Sequence, residues 1–259
     1  MPGSRASIDV SVAVAVHRSA PTLGRLVDEV RRSIEADGST WEMVLVDDAS
    51  GDGTWDEIVA LSAAHPQVRG IRMSRNVGED LASRTAIAAT SGPIVVTLDD
   101  DLQQPPHELP RLVAEVVDGA DVAYGVPRRL AHPPARRLLT AIWKRVLIVV
   151  ADVPGGIAPT SFRAMRGELR DVLASDGRAI DPALASTRPR TVAVPVSHEF
   201  RAHRRSGYTS GALLRHSWSH LRGYGGPLTR WSRARGDATT PPPRPPIAER
   251  TAPAGRTPS

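Results

Sequence analysis

The amino-acid sequence predicts an α/β domain with a mostly parallel central sheet flanked by helices, and three observations lead there. Over residues 1–125, short β-branched runs alternate with stretches whose apolar residues recur at helical spacing, the rhythm of strand–helix–strand units. Two of the strand-like runs end in acidic residues, Val-Leu-Val-Asp47-Asp48 and Val-Val-Thr-Leu-Asp99-Asp100-Asp101. In open parallel sheets ligands bind beyond the carboxyl ends of strands. Finally, 259 residues, 41% of them apolar and 24% charged, suffice for one substantial core and are marginal for two.

Taken in order, Val10 to Val16 reads as a strand. Thr22 to Ala36 reads as an amphipathic helix with Leu23, Leu26, Val27, Val30 and Ile34 on one face, the i, i+3, i+4 pattern of a core-facing stripe. Met43 to Val46 is a strand, Thr54 to Ala64 a helix, Val68 to Met73 a strand, Asp80 to Ala89 a helix and Ile94 to Leu98 an apolar strand. The second half is less regular. Pro110 to Val117 is expected to be helical, Val122 to Tyr124 a short strand, Ala135 to Ala151 a helix of mixed apolar and basic surface, Val192 to Val196 a late strand and Leu213 to Leu221 a final helix. Residues 1–7 are expected to be flexible and 223–259 disordered, because Asp237 to Ser259 hold seven prolines and few apolar side chains, too little burial to offset ordering entropy. The domain expected is therefore 8–222, with 8–125 and 126–222 as its two halves.

Composition excludes several classes. No uninterrupted apolar run approaches the roughly 20 residues of a membrane helix, since the best candidate, Leu138 to Val153, is broken by Lys144 and Arg145. Without cysteine there is neither a disulfide scaffold nor Cys-ligated zinc, and the start lacks a signal core. The expected compartment is the cytoplasm. Charge is divided unevenly: from Arg201 onward eleven arginines face only Asp237 and Glu249, a net +9, and the overall +5 leaves −4 for the rest. A basic end on an acidic body suits a phosphorylated ligand or an anionic lipid surface. A nucleic-acid partner is not expected, because stacking aromatics are few and no nucleic-acid-binding signature is present.

The acidic triplet Asp99-Asp100-Asp101 carries chemistry first. At the turn after a strand, two carboxylates one residue apart can swing onto one hard cation. Magnesium or manganese held this way bridges to phosphate oxygens, which fits a nucleotide-diphosphate ligand. Taken alone, the triplet reads first as a solvated turn, since Asp is common wherever a strand exits to solvent.

The order of the pieces adds to this. Asp47-Asp48-Ala49-Ser50-Gly51-Asp52-Gly53-Thr54, then Ser74-Arg75-Asn76-Val77-Gly78, then Asp99-Asp100-Asp101-Leu102-Gln103-Gln104-Pro105-Pro106 resemble the family 2 glycosyltransferases, whose fold is the Rossmann-like GT-A. The Leu-Gln-x-Pro-Pro extension is similar to the branch of polyprenyl-phosphate glycosyltransferases that act like dolichol-phosphate mannosyltransferase. Tyr124-Gly125-Val126-Pro127-Arg128, Thr160 to Arg166 and Arg201 to Thr209 resemble further segments of that branch, so the likeness runs over about residues 8–222.

The resemblance implies an inverting, metal-dependent hexosyl transfer from a UDP- or GDP-sugar to a polyprenyl phosphate. It implies a donor site of Ala15, His17, Asp47, Asp48, Asn76, Gly78, Asp99 and Asp100. Mg2+ or Mn2+ is implied on Asp99 and Asp101 with Gln103 assisting, and Asp99, Asp101, Arg128 and Arg163 as the catalytic set. An acceptor phosphate is implied on Arg128, Arg136, Arg163, Arg201 and Ser206, consistent with the bidentate fit of guanidinium to phosphate. Peripheral contact with the inner membrane face through the basic end follows. The chain departs from the family pattern at Ala15-Val16-His17-Arg18, at Glu79, at Arg204 and at Gly207. A hydroxyl of a soluble metabolite or glycan as acceptor, and a nucleotide-binding relative without activity, stand as alternatives. The sequence gives no oligomeric state.

Overall fold

A computed structural model describes residues 8–128, 157, 159–176, 178–197 and 245–251. Along the chain run β1 (Val10–Val16), α1 (Ala20–Glu35), β2 (Trp41–Asp47), α2 (Thr54–Ala64), β3 (Val68–Met73), α3 (Glu79–Ala88), β4 (Ile94–Thr97), a 3-10 turn (Pro106–Glu108) and α4 (Leu109–Val117). They are followed by β5 (Val122–Pro127), β6 (Arg163–Arg166), a helix here called α5 (Leu169–Ser175), a helix here called α6 (Ile180–Ser186), β7 (Thr191–Val196) and β8 (Ile247–Arg250). The strands form one eight-stranded sheet in the order β7-β5-β6-β4-β1-β2-β3-β8. β1 is parallel to both β2 and β4, β2 to β3, and β5 to β7, while β6 and β8 run antiparallel to their neighbours.

Hydrophobic patterning explains this layering. All seven residues of β2 are buried, and all of β1 but Ala15, as expected for central parallel strands covered on both faces. Alternate side chains then serve different cores. Val12, Val14, Met43 and Leu45 pack with Leu23 and Val30 of α1, Ile58 of α2 and Leu112 of α4. Ala13, Val44 and Val46 pack on the other side with Ala86 of α3, Leu173 of α5 and Leu184 of α6. Helix α1 starts with a proline in its first turn, a position that lacks an intrahelical partner for the N–H anyway. Its outer face carries Arg25–Glu29 and Arg31–Glu35 pairs. Such pairs add only a few tenths of a kcal/mol each, whereas each buried Leu, Val or Ile of the inner face contributes about 1.5–3 kcal/mol of transfer.

The structure corrects the expected organisation at the C-terminal end. Residues 245–251 fall inside the segment expected to be disordered, yet Ile247–Arg250 form the edge strand beside β3. The prolines that suggested disorder flank the strand rather than occupy it, and pairing with a distant strand is invisible to local composition. Strand β5 extends to Pro127 because it pairs with β7 over its whole length. Strand β6 and helices α5 and α6 have no counterpart in the sequence-based expectations. The helices expected at 135–151 and 213–221 lie outside the described residues. Among the described residues no helix is long and apolar enough to cross a membrane.

The order in which strands are added reverses between β1 and β4, which remain parallel. From β1 the chain adds β2 and β3 on one side, then returns to place β4 on the other. The loops after β1 and β4 thus open at the switch point where ligands bind in α/β sheets.

Candidate functional site

The loops at the carboxyl ends of β1, β2, β3 and β4 meet at one edge of the sheet and are tied together by their own polar groups. The His17 amide donates to Asp100 Oδ2 at 2.9 Å, and the Ser19 hydroxyl donates to the same oxygen. The Thr22 hydroxyl donates to the Asp100 carbonyl at 3.0 Å. The Arg18 amide donates to Ser50 Oγ at 2.9 Å and the Ser19 amide to Thr54 Oγ1 at 3.1 Å. Three non-glycine residues in these loops, Arg18, Ala49 and Leu102, hold φ between 54° and 61°. Left-handed backbone at such residues costs on the order of 1 kcal/mol or more and clusters where function fixes loop shape. Gly51, Gly53 and Gly78 take the same sign of φ without that cost.

Asp47 and Asp48 have different tasks. Asp47 is fully buried. Its Oδ1 accepts from the Ser50 amide at 3.1 Å and from the Ser50 hydroxyl, which closes the turn. Its Oδ2 has no hydrogen-bond partner among the described residues and lies 3.7 Å from Arg72 Nε. Asp48 accepts the Val77 amide on Oδ1 at 2.6 Å and the Gly78 amide on Oδ2 at 2.9 Å. The Asp48 carbonyl lies 3.1 Å from His17 Nδ1 and accepts from Asn76 Nδ2 at 3.4 Å. His17, Asp48, Asn76 and Gly78 are therefore brought together. Asp48, however, spends both carboxylate oxygens on backbone and acts as the brace between two loops. Ala15, opposite Val46 in the β1–β2 register, is half-buried and packs against a core cluster.

The three carboxylates of the triplet diverge. Asp100 turns to the β1 loop. Asp101 Oδ1 accepts from the Gln103 amide at 3.0 Å, an Asx turn. Asp99 Oδ2 accepts from Gln104 Nε2 at 2.6 Å and from the Ser161 hydroxyl at 3.0 Å, and its amide donates to Gln104 Oε1 at 2.9 Å. Burial pushes the Asp99 carboxyl up to about 7, helped by the Glu79 carboxylate and then by Asp101 and Asp100, against the lowering bond from Ser161. Among the described residues no group of three or more His, Asp or Glu side chains is gathered as a metal site. The chemistry of the donor set nonetheless fits a hard divalent ion. Asp99 and Asp101 would supply oxygen ligands to such an ion.

The acceptor residues fare differently. Arg128 is exposed just past the end of β5, with its amide on the Val196 carbonyl at 2.9 Å and its Nε on the Pro195 carbonyl at 3.1 Å. Arg163 departs from the expected phosphate clamp. It is 5% exposed, its Nη1 pairs with Asp181, its Nε donates to Thr97 Oγ1 at 3.3 Å, and its guanidinium lies 5.8 Å from the Tyr124 ring centroid. The ion pair and the Thr97 bond link α6 to β6 and β4. Arg136, Arg201 and Ser206 lie outside the described residues. Gln104, Ser161 and Asp181 were missed as site or support residues. The Gln103-Gln104 doublet and the Ser161 just before Phe162-Arg163 were the available signals, but spacing alone does not say which amide reaches back to Asp99.

The fold is shared with solved GT-A glycosyltransferases. A mannosyltransferase from Pyrobaculum calidifontis in complex with GDP-Man and Mn2+ superposes with a TM-score of 0.58 at 21% identity, covering 92% of this chain and 67% of its own. Mannosyl-3-phosphoglycerate synthase from Rubrobacter xylanophilus gives 0.65 at 18%, with 90% and 76% covered. Glucosyl-3-phosphoglycerate synthase from Mycobacterium tuberculosis in complex with Mn2+ and UDP-glucose gives 0.63 at 19%, with 86% and 79% covered. Among curated proteins, undecaprenyl-phosphate 4-deoxy-4-formamido-L-arabinose transferase from Salmonella paratyphi B is 29% identical over 209 residues, 79% of this chain. The chain spans 64% of the length of that relative. The sequence model of glycosyl transferase family 2 matches residues 11–166, from β1 to the end of β6, every strand and loop that builds the switch-point edge, and the chain belongs to that family.

Proposed function

We propose that the protein moves a sugar from a UDP- or GDP-sugar to a polyprenyl phosphate by single displacement with inversion. The observation that carries this reading is the meeting of four loops at the switch point: Asp48 braces the Asp47–Thr54 loop against Asn76–Gly78, and Asp100 ties the Asp99–Gln104 loop to the β1 loop, which bonds Ser50 in turn. The names of the curated relatives support the acceptor class, and the nucleotide sugars and Mn2+ bound to the solved neighbours support the donor and the ion.

In this reading the β2 and β3 loops shape the nucleoside cradle, Asp48 fixing the one against the other. Asp99, Asp101 and Gln103 would hold the divalent ion. When bound, Mg2+ or Mn2+ supplies Lewis-acid stabilisation of the negative charge that develops on the departing diphosphate. Gln104 and Ser161 orient Asp99 toward that task. The acceptor phosphate is already anionic, so positioning replaces a strong base. Arg128, exposed just past β5, is the candidate among the described residues, with Arg136, Arg201 and Ser206 as further candidates. Arg163, engaged by Asp181, serves packing rather than the acceptor phosphate. The excess of positive charge from Arg201 onward favours approach to an anionic lipid surface that carries the acceptor.

Calorimetric titration of UDP and GDP with and without Mn2+ tests the donor half. The Asp101→Ala variant is expected to lose the metal-dependent part of binding, and its survival would remove the proposed site. A screen of nucleotide sugars with undecaprenyl phosphate tests the acceptor. Turnover with a water-soluble alcohol but not with the lipid phosphate would instead support the hydroxyl-acceptor reading, which the engagement of Arg163 by Asp181 favours.

A further inference from the structure

Three strands present a row of charged residues in register at the edge of the sheet that bears the site. Asp47 of β2 stands opposite Arg72 of β3, and Arg72 opposite Glu249 of β8. Residues directly opposite share a face, so the row reads acid, base, acid from the donor loop outward. Arg72 Nε lies 3.7 Å from Asp47 Oδ2, and Arg72 Nη1 lies 3.4 Å from Glu249 Oε1. The Asp47 oxygen in question is buried and lacks a hydrogen-bond partner among the described residues. Arg72 is thus the cation nearest to a buried carboxylate oxygen that would otherwise be uncompensated.

The other oxygen of Glu249 reaches a different element. Trp55 Nε1 donates to Glu249 Oε2 at 2.9 Å, and the Trp55 ring carries the Arg72 guanidinium at 6.0 Å from its centroid. Trp55 belongs to the first turn of α2, immediately after the Asp47–Thr54 loop. One carboxylate therefore holds both ends of that loop, the Asp47 end through Arg72 and the α2 end through Trp55. The strand that brings Glu249 is fixed independently. Thr251 exchanges bonds with the Gly70 backbone at 2.8 and 3.0 Å, and the Ser74 amide donates to the Pro246 carbonyl at 2.7 Å. Gly70 permits this closeness, because a Cβ there would lie 2.4 Å from Ile58 Cγ2 and 3.0 Å from Thr251 Cγ2.

We propose that Glu249 is a positioning residue for nucleotide binding, and that the C-terminal edge strand is a working part of the donor site rather than a cover for β3. The proposal rests on the donor reading of the Asp47–Thr54 loop given above. It predicts that loosening Glu249 relaxes a loop it never touches directly.

Two measurements on the full-length chain test it. In the nucleotide-free protein, Glu249→Ala is expected to lower hydrogen-exchange protection at residues 48–55, while Arg250→Ala on the same strand leaves it unchanged. By calorimetry with Mn2+, Glu249→Ala should weaken UDP or GDP binding by about fivefold, the scale of one or two cross-strand polar contacts. Glu249→Gln, which keeps an acceptor for Trp55 but not the charge for Arg72, should fall between. Unchanged exchange, or unchanged binding alongside loosened exchange, overturns the proposal. If the wild-type protein binds neither UDP nor GDP, the donor reading fails and the role assigned to Glu249 falls with it, even though altered exchange still reports the brace. A general loss of stability is recognised by urea unfolding, and the Gln variant, which retains the Trp55 bond, then carries the test.

Discussion

Replacing Asp48 separates two tasks that the site assigns to neighbouring carboxylates. Asp48 is 3% exposed and accepts two backbone amides, from Val77 at 2.6 Å and Gly78 at 2.9 Å. A hydrogen bond to a charged acceptor contributes about 1.5–3 kcal/mol, and stranding a buried donor costs about 1–3 kcal/mol. Both amides are half-buried, so water recovers part of the loss, and Asp48→Ala is expected to destabilise the fold by about 2–4 kcal/mol. In Asp48→Asn the amide oxygen keeps one bond while its NH2 group faces the second N–H, for an expected loss of about 1.5–3 kcal/mol. Against total stabilities of about 5–15 kcal/mol, either value is resolved by urea unfolding, read as a shift of the midpoint at constant slope. Nucleotide binding should weaken in step, because the β2 and β3 loops part. An Asp48→Asn protein that loses UDP and GDP binding yet unfolds within about 0.5 kcal/mol of the wild type would refute the bracing role and make Asp48 a direct reader of the nucleoside.

Two further outcomes follow from the supporting ion pairs. Burial raises the Glu108 carboxyl, but the Ser197 amide and hydroxyl and the Arg111 guanidinium outweigh it, so the group falls from 4.5 to about 2. A lowered folded value contributes stability that is complete above pH 4.5 and is lost as pH falls from there toward 2. Glu108→Gln should remove about 1–3 kcal/mol of that acid-sensitive stability, seen as a flatter pH dependence of the urea midpoint. Asp181→Leu should destabilise by about 3–5 kcal/mol because it leaves the buried Arg163 guanidinium without this partner, whereas the double replacement with Arg163→Met should recover most of the loss. Failure of the double variant to recover stability, with nucleotide binding intact, would place Arg163 outside the packing role given to it here.

The first half of the fold was legible because its strands are short, apolar and separated by amphipathic stretches. Leu23, Leu26, Val27, Val30 and Ile34 declared α1, and all five are buried. The Asp47-Asp48 and Asp99-Asp100-Asp101 turns marked two strand ends that the sheet brings to the same edge. Which carboxylate faces which partner was not legible, since it depends on contacts such as Ser161 to Asp99 across 62 positions. Strand β6 was hidden by its own composition. Arg-Ala-Met-Arg has the look of surface, and the pairing of Arg163 with Asp181, with its Thr97 bond and the Tyr124 ring, makes its burial tolerable. Helices α5 and α6 span seven residues each, too few turns for a periodic signal. Strand β8 sits among prolines, and its order derives from β3 and from the three groups that hold Glu249 and Thr251.

The edge beside β3 also bears on how the protein is made. Met73 leaves the ribosome long before Ile247, its partner in the sheet. At about 5–20 residues per second, the interval is roughly nine to thirty-five seconds. Throughout it the nascent β3 offers bare amides and carbonyls that invite pairing with other chains. Chaperone demand during synthesis should therefore concentrate on this flank of the nascent chain and end when Ile247–Arg250 docks.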